Sequence, residues 1–504
     1  MWLMNKAYLS LERHFARLSS LNDALGILGW DKEVMMPSGA AERRAENLAM
    51  LEGLRHEILT APVMADLLAE ADAGNDLWRA ANLEQMRRQH RQATALPGDL
   101  VEASAQATSR CEMAWRTARE ESDFKSLEPH LAEVLRLTRE TAIATGQAMG
   151  LTPYDALLDS FDPGTRQTDI DPIFTSLASS LPELIGTVLE RQNSLPAADQ
   201  PIGPFPIARQ EALGRRLMQH MGFDVTRGRL DVSTHPFCGG ATHDVRLTTR
   251  YVEADFIPAM MGVLHETGHA LYEMGLPAEW ASQPVGQSGG MTLHESQSLL
   301  MEMQFCRSRT FANWLAPQVR TAFDIADGTQ GWDATSLHRH LTHVEPGFIR
   351  VDADEVTYPA HILVRYELEK ALISGDLPLS DLPAAFNDRL HALLGLHVPD
   401  DRRGCLQDIH WPAGLFGYFP CYALGAMTAA QLRTAACDAD PAILPAIGQG
   451  NFAPLLAWLR QNVHGRARSA TMPQIVRDAT GKPLDATAYL THIHRRYIDC
   501  APDA

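Results

Sequence analysis

The sequence predicts a mainly α-helical protein, built as one large bilobed unit with a small patch of β-sheet. The first half supports this fold class because apolar residues recur at three- and four-residue spacing, the period of an amphipathic helix. One such stripe comprises Tyr8, Leu11, Phe15, Leu18, Leu21, Leu25 and Leu28. The two-residue alternation that is typical of a half-buried strand is confined to a short region in the second half. We therefore expect helices throughout, with strands at one place only.

The N-terminal helical part covers residues 1–192. Its first helix is interrupted at 35–39, where a proline and a glycine break the pattern, and the apolar stripe resumes over 40–59. Similar helical texture, with further breaks, continues over about 66–189. The sequence therefore predicts a series of amphipathic helices before the first linker.

The clearest linker is 193–206, because its four prolines prevent a helix from continuing through it. The second part, 207–504, contains the alternating stretch 245–251, which predicts a strand, and 229–232 is a candidate partner for it. No second linker is as clear. We therefore interpret 1–504 as a single domain in two parts.

Composition narrows the classes of function. The chain has 504 residues, with 44 Lys plus Arg against 62 Asp plus Glu, and a formal net charge of −18. Nucleic-acid binding and anionic-membrane anchoring both need a concentrated basic surface, so we expect neither partner. The start lacks a basic segment followed by an apolar one, and the seven cysteines are scattered without a C-x-x-C pair. Both features predict a cytoplasmic protein with reduced thiols.

The stretch 411–432 has no acidic residue, lysine or arginine. Two prolines and three glycines interrupt it, and tyrosine and glutamine are present. A membrane-spanning helix with so many breaks is disfavoured. We expect this stretch to form a buried wall of a cleft.

The pentapeptide HETGH at 265–269 carries the strongest chemical signal. Pro258 suits the first turn of a helix and Gly275 its C-terminal cap, so the pentapeptide is predicted to be helical. On a helix, His265 and His269 project from one face and can share one Zn²⁺, with Glu266 placed to act as general base on the attacking water. The alternative is a helix with two hydrogen-bonded core histidines, so the interpretation depends on a third ligand.

A catalytic zinc needs a third protein ligand and one open position. Glu295 is the best candidate, because it lies in the helical segment MTLHESQS at 291–298, a separation from the pentapeptide that suits the next antiparallel helix. Glu273, one turn after His269, is an alternative, but a ligand from the same helix would fan away from a tetrahedral site. His294 would give a three-histidine site and is the closer rival.

Together with other motifs, these segments resemble the carboxypeptidase Taq family of zinc metallocarboxypeptidases. The further motifs of the family appear in its order as HPF at 235–237, DVRLT at 244–248, RVDAD at 350–354 and GCLQDIHW at 404–411. The early sequence GWDKEVMMPSGA also resembles its N-terminal region, so the match covers most of the chain. One departure follows HESQS, where members commonly have Arg and, two places on, Trp. This chain has Leu299 and Met301 there.

The resemblance implies a helical metallopeptidase fold with a long substrate groove, zinc at its floor and the sheet patch near the active site. It also implies removal of C-terminal amino acids from peptides with a free C-terminus, by metal-activated water, and usually a homodimer. Zinc is the expected cofactor, with Co²⁺ as a candidate replacement. Two rival functions remain open: an endo-acting zinc oligopeptidase with the same site, and a non-catalytic peptide-binding protein.

A carboxypeptidase must hold the terminal carboxylate of its substrate, for which an arginine fork is the natural device. Arg350 is our candidate for this role, and Arg246 is the second. The competing interpretation of Arg246 is a pair with Asp244, which we favour for that residue. The competing interpretation of Arg350 is an internal salt bridge. Its candidate partners are Asp352, Asp354 and Glu355.

His410 and Tyr418 are candidates to stabilise the oxyanion of the reacting carbonyl, and Tyr422 is a further candidate for substrate binding. For each of them, the competing interpretation is a buried aromatic residue hydrogen-bonded within the core. Asp354 or Glu302 is expected to orient a ligating imidazole. The sequence leaves that choice open.

Overall fold

The computed structural model describes residues 5–196 and 199–501. The first four residues, on which the expectation of no signal sequence partly depends, and residues 197–198 of the predicted linker lie outside this description. The N-terminal part is helical, as predicted. Its helices are α1 (Lys6–Val34), α2 (Ala41–Thr60), α3 (Pro62–Glu70), α4 (Leu77–Ala95), α5 (Gly98–Glu121), α6 (Phe124–Met149), α7 (Pro153–Phe161) and α8 (Gln167–Asn193).

The first helix begins and ends where its sequence dictates. The side-chain oxygen of Asn5 accepts hydrogen bonds from the first-turn N–H groups of Ala7 and Tyr8, which fixes the start of α1. The predicted break after Val34 is confirmed, since α2 begins only at Ala41. The first four members of the apolar stripe are buried, whereas its last three leucines are only partly buried. Helices α1 to α4 thereby form a small core of their own.

The prolines interrupt the helices where expected, because α8 ends at Asn193 and the next helix begins at Ile207. The remaining helices are α9 (Ile207–Met221), α10 (Ile257–Gly275), α11 (Met291–Leu299), α12 (Arg309–Phe323), α13 (Ala334–Leu341), α14 (Tyr358–Ser374), α15 (Leu382–Leu394), α16 (Pro420–Ala439), α17 (Ile443–Ile447), α18 (Ala453–Asn462), α19 (Met472–Thr480) and α20 (Thr487–Ile493). Within the described residues, two segments are π-helical: Leu300–Cys306 and His494–Ile498.

Three short strands form the sheet patch. They are β1 (Gly228–Val232), β2 (Cys238–Ala241) and β3 (Asp244–Thr249), in the order β1-β3-β2. The predicted partnership is confirmed, since β1 runs parallel to β3, with Leu230 opposite Leu247. Both leucines are buried in one apolar cluster with Val263 of α10. The sheet therefore covers one face of the helix that carries HETGH.

The main core joins both parts of the chain. It contains buried side chains from α5 to α8 and from α9 to the C-terminal π-helical segment, so it extends across the predicted linker. The uncharged stretch 411–432 is largely buried, and from Pro420 it is helix α16, which packs on α11. The interpretation of 1–504 as one domain remains a prediction.

Helix α8 is, among the described helices, the one with the length and apolarity of a membrane span, with a mean hydropathy of 1.2. A core helix of a soluble protein passes the same test. One face of α8 packs into the main core. That face consists of Ile170, Phe174, Leu177, Leu181, Ile185 and Val188. Its composition is therefore weak support for a membrane span.

Candidate metal centre and active site

Two helices carry the predicted metal ligands, and they meet at a glycine. Helix α10 holds HETGH, and α11 holds Glu295 in its second turn. A Cβ atom on Gly268 would lie 2.5 Å from the carbonyl oxygen of Gln297 and 2.6 Å from the Cα atom of Ser298. A larger residue would force the two helices apart. The glycine of the pentapeptide therefore sets the distance between the ligands on the two helices.

The structure brings His265, His269 and Glu295 together. One potential ligand atom of each lies within 4.8 Å of the other two. Nε2 of His269 is 3.5 Å from Oε2 of Glu295, close to the separation of about 3.4 Å between ligand atoms of a tetrahedral zinc. The three side chains are only 21%, 12% and 9% exposed, in that order. The geometry is that of a shielded three-ligand site.

Glu302 orients His265. Its Oε2 atom lies 2.8 Å from Nδ1 of His265, and its Oε1 atom accepts a hydrogen bond from Arg307 at 2.7 Å. The carboxylate favours a proton on Nδ1, which leaves the lone pair of Nε2 for a metal. Asp354, the other candidate for this role, instead accepts backbone N–H groups at the start of α14. The choice that the sequence left open therefore falls on Glu302.

The two rival ligands, Glu273 and His294, form a hydrogen-bonded chain behind His269. Nδ1 of His294 lies 2.7 Å from Nδ1 of His269, and Nε2 of His294 lies 2.8 Å from Oε1 of Glu273. If neutral His294 donates its Nε2 proton to Glu273, its Nδ1 must accept the Nδ1 proton of His269. Nε2 of His269, which faces Glu295, then keeps its lone pair. This arrangement gives both rivals a supporting position.

The carboxylates around the site create a field that favours positive charge. Burial lowers the pKa of His265, but the hydrogen bond to Glu302 and the charges of Glu295 and Glu266 outweigh it and raise this pKa to about 10. Burial, aided by repulsion from Glu295, raises the pKa of Glu266 to about 7. Burial and the neighbouring imidazoles hold the pKa of His269 well below its usual value.

The donor set therefore fits a divalent cation. Two imidazole nitrogens and one carboxylate oxygen are the ligands of many catalytic zinc sites, which keep a fourth position open. A field that stabilises a proton on His265 would stabilise a metal ion in its place. Glu266 is 6% exposed and follows the first ligand directly on the same helix, so it lies beside the site without belonging to the ligand group.

Arg350 is buried near Glu295. Burial raises the pKa of Glu295, and the positive charge of Arg350 is among the effects that oppose this rise. Its Nε and Nη2 atoms donate to Oδ1 of Asp408 at 3.1 and 2.8 Å. The guanidinium also lies 4.8 Å from the ring centre of Tyr422. Within the described residues, its Nη1 atom makes no hydrogen bond to protein. Arg350 is therefore a fixed cation whose Nη1 atom can still donate hydrogen bonds.

The predicted salt-bridge partners of Arg350 were wrong. Its carboxylate partner is Asp408 of the motif GCLQDIHW, which was not among the predicted partners. Asp408 also accepts from Arg365 at 2.7 Å. Burial would raise the pKa of Asp408, but the two guanidinium groups hold it far below its usual range. The former candidates Asp352, Asp354 and Glu355 are not ion-paired with Arg350; Glu355 pairs with Arg496 at 2.8 Å.

His410, Tyr418 and Tyr422 lie together beside Arg350. Nε2 of His410 is 3.3 Å from the hydroxyl of Tyr422, and the Tyr418 ring centre is 5.5 Å from His410 and 5.4 Å from Tyr422. Burial first, and the charge of Glu295 among other causes, raises the pKa of both tyrosines. The polar tips are thus held together in a largely buried cluster of rings.

One phenol near this cluster had no role assigned from the sequence. Tyr358 lies in the first turn of α14, 7% exposed, with its ring centre 6.4 Å from that of Tyr422. Burial and the negative charge of Glu295 raise its pKa well above the usual value. Tyr358 lies four residues after the RVDAD motif, and this position is the feature of the sequence that could have indicated a place near the site.

Arg246 pairs with an acidic residue of its own strand. Its guanidinium donates to Asp244 at 2.6 to 3.1 Å and lies 4.5 Å from the ring centre of Trp30. These contacts support the pairing that the sequence favoured for Arg246. We therefore leave it out of the proposed binding site, although it was our second candidate for the substrate carboxylate.

The chain is a metallopeptidase of the carboxypeptidase Taq class, as its fold and site indicate. Residues 10–497 match the family described as Carboxypeptidase Taq (M32) metallopeptidase. The chain belongs to this family and is a carboxypeptidase, a hydrolase whose substrates are peptides. The predicted family, mainly helical fold and metallocarboxypeptidase function are confirmed.

Relatives and solved structures agree over nearly the whole chain. Thermostable carboxypeptidase 1 of Thermus thermophilus is 36% identical over 504 residues, covering 97% of each chain. Carboxypeptidase 1 of Bacillus subtilis is 32% identical over 487 residues, covering 95% of this chain and 96% of the other. The structure of Trypanosoma cruzi metallocarboxypeptidase 1 has a TM-score of 0.95 at 38% identity, covering 98% of this chain and 100% of that one. The M32 carboxypeptidase from Deinococcus radiodurans R1 has a TM-score of 0.91 at 32% identity, covering 98% and 99%.

Proposed function

We propose that the metal of this carboxypeptidase is zinc, held by His265, His269 and Glu295, with Glu266 as general base. The observation that carries the assignment is the group of three ligand atoms within 4.8 Å, on helices that Gly268 allows to meet. Two nitrogen ligands and one oxygen ligand suit zinc. Co²⁺ is proposed as a working replacement, because imidazole and carboxylate ligands also bind it.

Bound zinc would supply a Lewis acid that activates water and polarises the scissile carbonyl. Glu266, buried and with a pKa raised to about 7, accepts the proton of the attacking water and then donates it to the leaving amine. This route needs no covalent intermediate on the protein. The neighbouring carboxylate Glu302 and the chain through His294 keep the two imidazoles in the tautomer that leaves Nε2 free.

His410 and Tyr418 are proposed to donate hydrogen bonds to the oxygen that gains negative charge. Burial lowers the pKa of His410 to about 4, so its imidazole is neutral near pH 7 and carries one N–H. Its Nδ1 atom is buried and has no hydrogen-bond partner within the described residues. The raised pKa of Tyr418 keeps the phenol protonated and able to donate.

Arg350 is proposed to bind the terminal carboxylate of the substrate, with Tyr422 beside it. A buried cation next to the metal site favours binding of a substrate whose C-terminal carboxylate lies there. This feature and the family membership support an exopeptidase over the endo-acting oligopeptidase. The complete ligand set with an adjacent general base supports a catalyst over the non-catalytic peptide-binding protein.

We further propose a cytoplasmic homodimer that binds neither nucleic acid nor membranes. The net charge of −18 and the seven unpaired cysteines support the location and the absence of these partners. The proposal of a homodimer is based on the family, whose members are usually homodimers. Light scattering should give twice the mass of one chain, and a value of one chain mass would contradict the dimer.

The test of the exopeptidase site compares one peptide with a free C-terminus and the same peptide as C-terminal amide. Arg350→Ala should reduce kcat/KM for the free acid by roughly 30- to several-thousand-fold, mainly through KM, because it leaves a desolvated carboxylate unpaired. Cleavage of the amide, already slow, should barely change. Arg246→Ala is the matched control and should behave like the parent.

Two results would contradict the role of Arg350. Equal proportional loss on acid and amide would make it a structural residue, consistent with its bond to Asp408. A loss in Arg246→Ala that is selective for the free acid would transfer the role to that residue. Melting temperatures of both variants separate these effects from unfolding.

A further inference from the structure

A cavity of about 630 Å³ lies between the end of α8, helix α13 and the C-terminal π-helical segment. Its described lining contains no Asp or Glu, although the chain has more acidic than basic residues. The lining contains four arginines, and imidazoles lie among them: Arg191, Arg309, Arg339 and Arg496, with His338, His340 and His343. A lining of one sign, opposite to the sign of the whole protein, indicates a site for negative charge.

Three of the four arginines have no carboxylate partner within the described residues. Arg191 donates to a serine hydroxyl at 3.3 Å and lies 3.9 Å from a cysteine sulfur, and Arg339 donates to a backbone carbonyl. The Arg309 side chain makes no hydrogen bond or ion pair with any residue that the structure describes. Arg496 differs, because its charge is balanced by buried Glu355, which does not line the cavity.

The arginines of the lining act on a histidine among them. Burial first, and then the charges of Arg309 and Arg496, lower the pKa of His338 to about 4. Nδ1 of His338 is buried and has no hydrogen-bond partner within the described chain. Arg309 is also the first residue of α12, where the helix dipole disfavours a cation. An anion in the cavity would relieve each of these unfavourable interactions.

We propose that this cavity binds a small anion with at least two phosphate charges, of the size of a nucleoside diphosphate. Arginine forks bind phosphate oxygens in pairs, and the volume lies within the range of about 300–1,000 Å³ usual for ligand sites. Val188, Leu195 and Tyr497 add an apolar wall that would suit a base or another uncharged group. None of the residues that line the cavity belongs to the proposed metal site.

Calorimetric titration of the full-length zinc-loaded protein with pyrophosphate and with adenosine diphosphate tests the proposal. We expect saturable binding of one anion per chain. Arg309→Ala should weaken it about 10- to 100-fold, the effect of losing a hydrogen bond to a charged group, and Arg309→Lys should weaken it less. Arg116→Ala, which removes an exposed arginine of α5, is the matched control and should bind like the parent.

The two ligands distinguish the source of the phosphate. Equal affinity indicates a free polyphosphate, whereas tighter binding of adenosine diphosphate indicates a nucleotide that uses the apolar wall. Phosphates that bound at the zinc would be unaffected by Arg309→Ala. The proposal is wrong if neither ligand saturates the parent protein at millimolar concentration, or if Arg309→Ala and Arg116→Ala bind alike.

Discussion

At the scale of single residues, each histidine ligand depends on a neighbour for the position of one proton. Glu302 contacts Nδ1 of His265 directly, whereas Glu273 reaches His269 only through His294. Both arrangements leave the Nε2 lone pair of the histidine free for a metal. The supporting residues contact the histidines but are not proposed to contact the metal. Their removal should therefore reduce metal affinity less than removal of a proposed ligand.

Two alanine variants test this difference. His294→Ala should lower zinc affinity by about 10- to 100-fold, the usual effect of losing a residue that orients a ligand. Glu295→Ala removes a ligand and should lower the affinity further, by more than ~100-fold. Competition of each purified variant with a fluorescent zinc chelator gives both values. A larger loss in His294→Ala would mean that the site has three histidine ligands.

The sequence predicted the group His265, His269 and Glu295 that the structure brings together, because their spacing along two helices is a local property. It did not decide between Glu302 and Asp354, since that choice depends on how the chain turns after α11. The partnership of Arg350 with Asp408 joins residues 58 positions apart. Pairs of that kind depend on tertiary packing, which spacing along the chain does not encode.

At the scale of elements, the active site depends on how closely α10 and α11 approach. Gly268 lies in sequence between the proposed general base and the second proposed histidine ligand, so the contact point of the helices is part of the candidate site. Gly425 of α16 plays a similar part, since a Cβ there would lie 2.9 Å from the Cβ atom of Glu295. Small residues thus fix Glu295 from two sides.

Gly268→Ala should therefore separate the ligands without changing any of them. The added methyl group meets backbone atoms, which cannot rotate away, so we expect a destabilisation of about 1–3 kcal/mol and weaker zinc binding. Gly262→Ala on the same helix is the control, because its nearest atom would be 3.7 Å away. Melting temperature and zinc content of both variants check this. Unchanged zinc affinity in Gly268→Ala would show that the helix contact does not set the ligand geometry.

Helix α11 is followed directly by the π-helical segment 300–306. A π turn inserts one residue per turn and so shifts the later side chains around the axis. The apolar spacing of this segment resembles that of an α-helix, so it does not predict the π-helical turns. Glu302, which orients His265, lies within the π-helical segment.

At the scale of the whole molecule, buried charges connect distant parts of the fold. Asp408, in the loop before α16, joins Arg350 before α14 to Arg365 within it. All three side chains are at most 11% exposed. Periodicity correctly predicted a helical fold with one sheet patch, whereas this network and the basic cavity arise only when remote segments meet.

The Asp408 network predicts a pH dependence of stability. Its folded pKa lies far below the unfolded value of about 3.9, so its contribution is present above that pH and is lost as the pH falls below it. Asp408→Asn should cost about 3–5 kcal/mol, because it leaves two guanidinium groups without their counter-charge. Urea unfolding from pH 8 to pH 3 should show a constant difference from the parent above about pH 5 that shrinks below about pH 4. A constant difference at every pH would contradict the assigned pKa.

The proposal of a zinc-dependent carboxypeptidase is tested by a zinc titration of the metal-free protein, followed by mass spectrometry of one free-acid peptide. We predict that activity rises with added zinc and saturates at one zinc per chain. Every product should be shortened from the C-terminus, one residue at a time. Glu266→Gln should take up the same zinc but cleave at least ~100-fold more slowly, because it cannot accept the proton of water. Activity without metal, saturation at another stoichiometry or internal fragments of the peptide would contradict the account.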